Sequence, residues 1–277
     1  MTRAPAGRRR EEPLTVHRLS GPGGCGPTAV LVHGMEDTWR SWRRYAARLD
    51  PTWTVYALDV PWRTGNAYDW RGSASAGRWV ASALREIPEP VDILVGHSLG
   101  ANAVLEVLAD PDPPAVSVAA LLAPFYCPRT TVLSWDFFDE ARKFFGQIIG
   151  EGIRLRLGPR AAGLDPDLRE AMLGKMVDRI GPLGFVTWFD HFAASARLPL
   201  ESVTVPTVVL ASGEDPCLSG GRAGALAADM PTATLWLDDG YDHFCHIQQA
   251  DAVADQTLRF ARARLGRRRR QSRRSAA

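Results

Sequence analysis

The sequence predicts an α/β fold: a doubly wound, mostly parallel sheet with helices on both faces and a helical segment inserted into its second half. Three observations predict it. Six short apolar runs recur along the chain, and continuous runs of that length mark strands buried on both faces. Helix-periodic stretches alternate with them, as a parallel sheet with crossover helices requires. One interval, between the run ending near Ala123 and the run starting near Thr207, spans roughly eighty residues with helical periodicity and no strand, too long for a loop. With 277 residues and 45% hydrophobic side chains, the chain can bury a substantial core.

Residues 1–13 are polar and basic and are expected to be disordered. Residues 14–19 alternate like an edge strand and end in the turn-rich Gly21-Pro22-Gly23-Gly24. Strands are predicted at 28–32, 53–58, 91–95, 116–122, 207–211 and 232–237, and helices at 39–49, 72–87, 99–108, 220–228 and 250–265. The arginine-rich end, residues 266–277, reads as a solvated, disordered tail.

Charge and cysteine content exclude several classes. The ends carry ten arginines, and without them and Glu11 and Glu12 the body has 23 basic against 29 acidic residues. A nucleic-acid-binding face is therefore not expected. No signal-peptide core and no 18-residue apolar run is present, so no membrane partner is expected. Cys25, Cys127, Cys217 and Cys245 are too few and scattered for a disulfide framework, which points to a reduced, cytoplasmic protein.

The chemistry centres on Gly96-His97-Ser98-Leu99-Gly100. It follows the apolar run 91–95 directly and opens the stretch 99–108, the strand-turn-helix setting in which Gly-x-Ser-x-Gly presents a nucleophile rather than a flexible turn. So tight a turn needs glycine or another small residue beside the serine. The N–H of Leu99, at a helix N-terminus, would face an oxyanion formed there.

A serine hydroxyl needs a base, and the base a third group to orient it. Of the six histidines, His17 lies on the edge strand, His97 inside the turn and His191 in the insert. His33 precedes Gly34, where packing of the loop is the better reading. That leaves His243 and His246, in Asp242-His243-Phe244-Cys245-His246 after the last strand. Asp215, in Gly213-Glu214-Asp215-Pro216, is the acid candidate beyond the run 207–211, and Glu214 competes with it. Asp238, Asp239 and Asp242 are too near His243 in the chain to reach its far nitrogen. Asp215, Cys217, His243 and Cys245 could also be read as metal ligands. No C-x-x-C pair accompanies them, so no metal and no cofactor are expected.

Taken in order, His33-Gly34, Gly96-His97-Ser98-Leu99-Gly100, Gly213-Glu214-Asp215 and His243-Phe244 resemble the α/β-hydrolase superfamily of esterases, lipases and thioesterases, over residues 14–265. The resemblance implies the α/β-hydrolase fold with Ser98 as nucleophile, His243 rather than His246 as base and Asp215 as acid. It implies an oxyanion hole from the N–H groups of Met35 and Leu99. It also implies a helical cap at 125–200 inserted between core segments 14–124 and 201–265. A serine nucleophile sets the chain apart from relatives that use aspartate there, the epoxide hydrolases and haloalkane dehalogenases. The chain departs from the family after the strand at 53–58. It reads Asp59-Val60-Pro61-Trp62-Arg63-Thr64-Gly65-Asn66 where relatives have a glycine-rich turn, so their substrate access does not carry over.

The insert is rich in aromatic residues, which pack it against the sheet and leave an apolar roof over Ser98. Candidate substrate contacts are His33, Gly34, Trp39, Trp62, Phe125, Tyr126, Trp135 and Trp188. The expected function is a serine hydrolase cleaving a carboxylic ester, thioester or lactone with a hydrophobic acyl group. An acyltransferase or chain-releasing enzyme with the same triad is the alternative, and a non-hydrolytic ligand-binding protein the third. The expected partner is a small hydrophobic acyl substrate, free or delivered by an acyl carrier protein.

Overall fold

In the computed structural model, which describes residues 14–21, 26–158, 163–218 and 221–275 and side chains as far as residue 266, the predicted runs form one seven-stranded sheet. Thr28–Val32 (β2) is buried at every position, as its unbroken apolar sequence requires. It pairs in parallel with Thr54–Asp59 (β3) on one side and Val91–His97 (β4) on the other. Beyond β4 follow Val116–Leu122 (β5), Thr207–Ala211 (β6) and Ala233–Leu237 (β7), all parallel. Thr15–Ser20 (β1) is antiparallel to β3 and closes the other edge, giving the order β1-β3-β2-β4-β5-β6-β7.

Alternate residues of the central strands feed two cores, because side chains along a strand point to opposite faces. Val30, Val32 and Leu94 join Ala76–Glu86 (α2) and Leu99–Leu108 (α3) on one face. Ala29, Leu31, Ile93 and Val95 join Arg43–Arg48 (α1) and Ala250–Ser275 (α8) on the other. Two further short helices, Arg222–Asp229 (α6) and Cys245–Gln248 (α7), flank β7; their numbers leave α4 and α5 to the insert.

The helix boundaries differ from the sequence expectation in three places. Trp39–Trp42 is a 3-10 turn leading into α1. Asp69–Gly72 is another such turn, and α2 starts only at Ala76, where the Ser75 side chain accepts from the Arg78 N–H. That bond satisfies a first-turn donor and sets the boundary. The third difference is α8, which continues to Ser275 through the arginine run where a disordered tail is expected. Arginine is a good helix former, and nothing in that run breaks a helix. The expectations for residues 1–13, for Cys25 and for residues 276–277 lie outside the described residues.

The long interval after β5 holds Trp135–Leu157 (α4) and Pro166–Ser195 (α5). Ser134 and Asp165 cap their N-termini. α5 kinks at Gly181, whose φ of 51° is followed by Pro182; proline lacks the N–H that the helical ladder needs there. Phe138 packs edge-on against Phe185 and Phe189, and Phe145 packs near Phe185 and Trp188. These rings continue into the core of the sheet's upper face. No helix of the described residues is long and apolar enough to cross a membrane.

Two glycines let this sheet meet its central helix. A Cβ on Gly96 would lie 2.5 Å from the Gly100 oxygen, and one on Gly100 would lie 2.4 Å from the Val32 oxygen and 2.5 Å from the His33 oxygen. These neighbours are backbone and cannot step aside. Gly100→Ala should therefore destabilise the fold by roughly 1–3 kcal/mol. Gly146, exposed within α4 with nothing near its Cβ position, is the opposite case. Gly146→Ala should stabilise by about 0.5–1 kcal/mol. Denaturant melts of the two variants would check both signs.

Candidate active site

Ser98 stands between β4 and α3 with φ 49° and ψ −120°. Non-glycine residues rarely adopt positive φ, and the cost is of order 1–3 kcal/mol. Its backbone is held on both sides: Ser98 N–H donates to the Leu122 oxygen at 2.9 Å, and Asn102 N–H donates to the Ser98 oxygen at 3.1 Å. The Ser98 side chain makes no capping bond to α3. Its Oγ instead lies 3.1 Å from His243 Nε2.

His243 reaches that point from the loop after β7, just ahead of α7. Its other nitrogen, Nδ1, donates to Asp215 Oδ2 at 2.9 Å, which leaves the Nε2 lone pair for the serine hydroxyl. Asp215 comes from the turn after β6 and also accepts the Cys217 N–H on Oδ1 at 2.8 Å. Three strand ends thus converge. Ser98 is 8% exposed, Asp215 3% and His243 6%.

Burial by itself would hold the His243 pKa down. The Asp215 charge and hydrogen bond, helped by Glu151 and Asp242, outweigh it and raise the pKa above the ordinary imidazole value. Burial likewise pushes Asp215 up, and the His243 charge and bond with the Cys217 N–H bring it below the usual carboxylate range. The competitors take other places: Glu214 is exposed, and His246 faces Asp37 at 3.5 Å while stacking on His97.

Leu99 opens α3, so its N–H is among the first-turn donors that have no partner within a helix. Met35 lines the cavity over Ser98. Gly34 brings the loop after β2 hard against the turn, since a Cβ there would lie 3.2 Å from Ser98 Cβ and 2.8 Å from His97 Nδ1.

Of the remaining expected substrate contacts, Trp188 lines this cavity. The others do not line it. His33 is fully buried; it accepts from Val60 N–H through Nε2, and its backbone oxygen accepts from the Trp62 indole. His33 and Trp62 therefore build the rebuilt loop after β3 rather than a substrate wall. Phe125 is clamped through its backbone by the Asn102 amide and packs on Trp188. Tyr126 donates to Asp229. Trp39 stacks on His17 at the β1 edge, and Trp135, 84% exposed, stands at the outer end of α4.

The walls are instead Phe145, Ile148, Ile149, Gly152 and Arg156 of α4, with Glu36, Asp37, Phe244 and Ile247. The α4 residues are spaced three and four apart, the signature of one helix face, and that stripe was the available sequence signal. The free space over Ser98 is about 30 Å³, room for about one water molecule. A larger open depression, about 740 Å³, lies elsewhere, between Trp70, Glu106 and His191, and does not include Ser98.

Among the described residues, two groups of three potential metal donors come together: Asp37, His97 and His246, and Asp215, Cys217 and His243. In the second, Asp215 Oδ2 is already bonded to His243 and Oδ1 accepts the Cys217 N–H. In the first, the donor atoms lie within 4.8 Å of one another, and His97 Nε2 is 2.8 Å from the His243 backbone oxygen.

The sequence model described as alpha/beta hydrolase family matches residues 29–256. No curated protein matches the sequence. Among solved structures, a hydrolase from Oleispira antarctica is 18% identical with a TM-score of 0.60, over 90% of this chain and 94% of that one. An epoxide hydrolase from Vigna radiata is 18% identical with a TM-score of 0.63, over 90% and 94%. The enol-lactonase from Burkholderia xenovorans is 16% identical with a TM-score of 0.59, over 89% and 95%. At these identities the likeness is one of fold.

The raised His243 pKa is open to direct measurement. Its ring proton resonances should titrate with a midpoint above 6.5, and Asp215→Asn should move that midpoint down, because the variant removes the charge that favours the imidazolium. A wild-type midpoint at or below 6.5 would contradict the electrostatics described.

Proposed function

This chain belongs to the alpha/beta hydrolase family, and from that premise we propose that it is a serine hydrolase cleaving a carboxylic ester, thioester or lactone with a hydrophobic acyl group. The observation that carries the reading is the run of two hydrogen bonds from Asp215 through His243 to Ser98 Oγ. His243 Nε2 takes the serine proton as Oγ attacks the carbonyl carbon, and Asp215 stabilises the imidazolium that forms. The tetrahedral oxyanion would be met by the N–H groups of Leu99 and Met35. Imidazolium then gives its proton to the leaving oxygen or sulfur, and the acyl-enzyme remains. Water, deprotonated by the same His243, attacks that carbonyl and releases the acid with Ser98 restored.

Apolar walls from Phe145, Ile148, Ile149 and Trp188 support a hydrophobic acyl group. So small a free volume means that α4 and its neighbours must yield to admit the substrate, which fits a cap role for residues 125–200. Attack by an alcohol or amine in place of water would make the same acyl-enzyme a transferase intermediate, and an acyl carrier protein would then be a natural donor. The cytoplasmic reading is supported by three buried, unpaired thiols, Cys127, Cys217 and Cys245.

Incubation with a fluorophosphonate, followed by mass spectrometry, should label Ser98 and leave Ser98→Ala unlabelled. Asp215→Asn should lower kcat/KM for a p-nitrophenyl ester by about 10³–10⁴, with the fold intact by circular dichroism. An unlabelled wild-type protein would favour the ligand-binding alternative. Product analysis with added alcohols, amines and carrier-bound acyl groups separates hydrolysis from transfer.

A further inference from the structure

Three charged residues line the cavity over Ser98: Glu36, Asp37 and Arg156. Two of them are in ion pairs, although Asp37 Oδ2 has no hydrogen-bond partner. The buried Glu36 carboxylate accepts from Gly65 N–H at 3.3 Å, Asn66 at 3.0 Å and the Tyr68 hydroxyl at 2.8 Å, and pairs with Arg179 of α5 at 2.5 Å. Asp37 accepts the Thr38 N–H through Oδ1 at 2.8 Å and turns Oδ2 to His246.

Arg156 differs. Its Nη1 donates to the neutral Thr64 Oγ1 at 2.7 Å. Its Nε is buried with no hydrogen-bond partner, and it takes part in none of the ion pairs among the described residues. Burial pulls its pKa down, while Asp37 and Glu36 push the other way from beyond ion-pair distance. A buried donor left unpaired is costly, more so on a charged group. Arginine presents its N–H groups as a planar fork whose natural complement is a carboxylate or phosphate.

Its position completes the picture. Gly152, four residues earlier on α4, lies against the Phe244 ring, next in sequence to His243. Arg156 therefore stands about one helical turn, roughly 6 Å, further along α4 from the wall beside the reacting groups. Phe145, Ile148 and Ile149 lie in the other direction along the same helix. Along α4 the cavity runs from apolar side chains to Arg156, with Glu36 and Asp37 also in its lining.

We propose that Arg156 is a specificity-determining residue that binds a carboxylate on the substrate, so that the preferred substrates are esters carrying an anionic group a few bonds from the reacting carbonyl. This rests on the hydrolase reading for the bond that is broken, but not for the recognition of the anion.

The test separates the two. Monomethyl adipate, an anion, and dimethyl adipate, its neutral counterpart, are titrated by calorimetry into the full-length Ser98→Ala protein, which cannot turn them over. The anion should bind roughly 10- to 100-fold more tightly, the range for a charge-assisted hydrogen bond or two. That preference should vanish in Ser98→Ala/Arg156→Met and survive in reduced form in Ser98→Ala/Arg156→Lys, which keeps the charge without the fork. Equal affinities, no measurable binding of the anion, or a preference that persists in the methionine variant would overturn the proposal. The comparison of the two ligands needs no substitution at Arg156, so a misfolded Arg156 variant does not decide the matter. Fluorophosphonate labelling of Ser98 decides the hydrolase reading independently.

Discussion

The strained turn at Ser98 is the constraint on which the rest of the molecule depends. Its positive φ costs of order 1–3 kcal/mol, and the surrounding structure outweighs that many times over. Leu99, which follows Ser98, Leu105 of α3 and Leu121 of β5 are fully buried, each side chain worth about 1.5–3 kcal/mol of burial. Backbone bonds to Leu122 and Asn102 fix the turn from both sides. Gly34, Gly96 and Gly100 supply the close approaches that no side chain would permit. The hydroxyl is thereby lifted to the carboxyl edge of the sheet, where the loops after β6 and β7 can meet it.

The insert meets this frame through polar contacts at its rim, and its own rings hold α4 to α5. Glu36, in the loop after β2, pairs with Arg179 of α5. Arg71 pairs with Asp190, and His191 with Glu106 of α3. The partly buried pairs are costly to break on one side, and the three at separate points fix where α5 sits. The aromatic contacts among Phe138, Phe145, Phe185 and Trp188 carry the larger apolar burial. The result holds one face of α4 directly over Ser98. Burial of Asp215 and His243 lowers the local dielectric, which strengthens the interaction between them.

Much of the fold could be read locally. Continuous apolar runs such as 28–32 and 116–122 specify buried strands because no other element hides both faces of so short a segment. The glycine-flanked serine between a strand and a helix is a local signal too, since the geometry is made within five residues. Reading failed where the contact was long-range. His33, Trp62 and Trp135 looked suited to line a substrate site by residue type, yet His33 and Trp62 bond to each other's loops and Trp135 points away from the core. Glu36, Arg156 and Phe244 gave no individual sign, because their roles come from partners such as Arg179, Thr64 and Gly152, up to 143 residues away in sequence.

By itself, then, the sequence determined which short runs are buried strands, the helical character of the insert, and the serine between strand and helix with its short list of base and acid candidates. Those features rest on periodicity, glycine placement and motif spacing, which act over a few residues. Only the tertiary structure decided which face of α4 closes over Ser98, that His246 turns to Asp37 while His243 faces the serine, and that a cation stands unpaired beside the cavity. These depend on the packing of segments remote in the chain, and side-chain type alone carries no record of which distant neighbour will satisfy it.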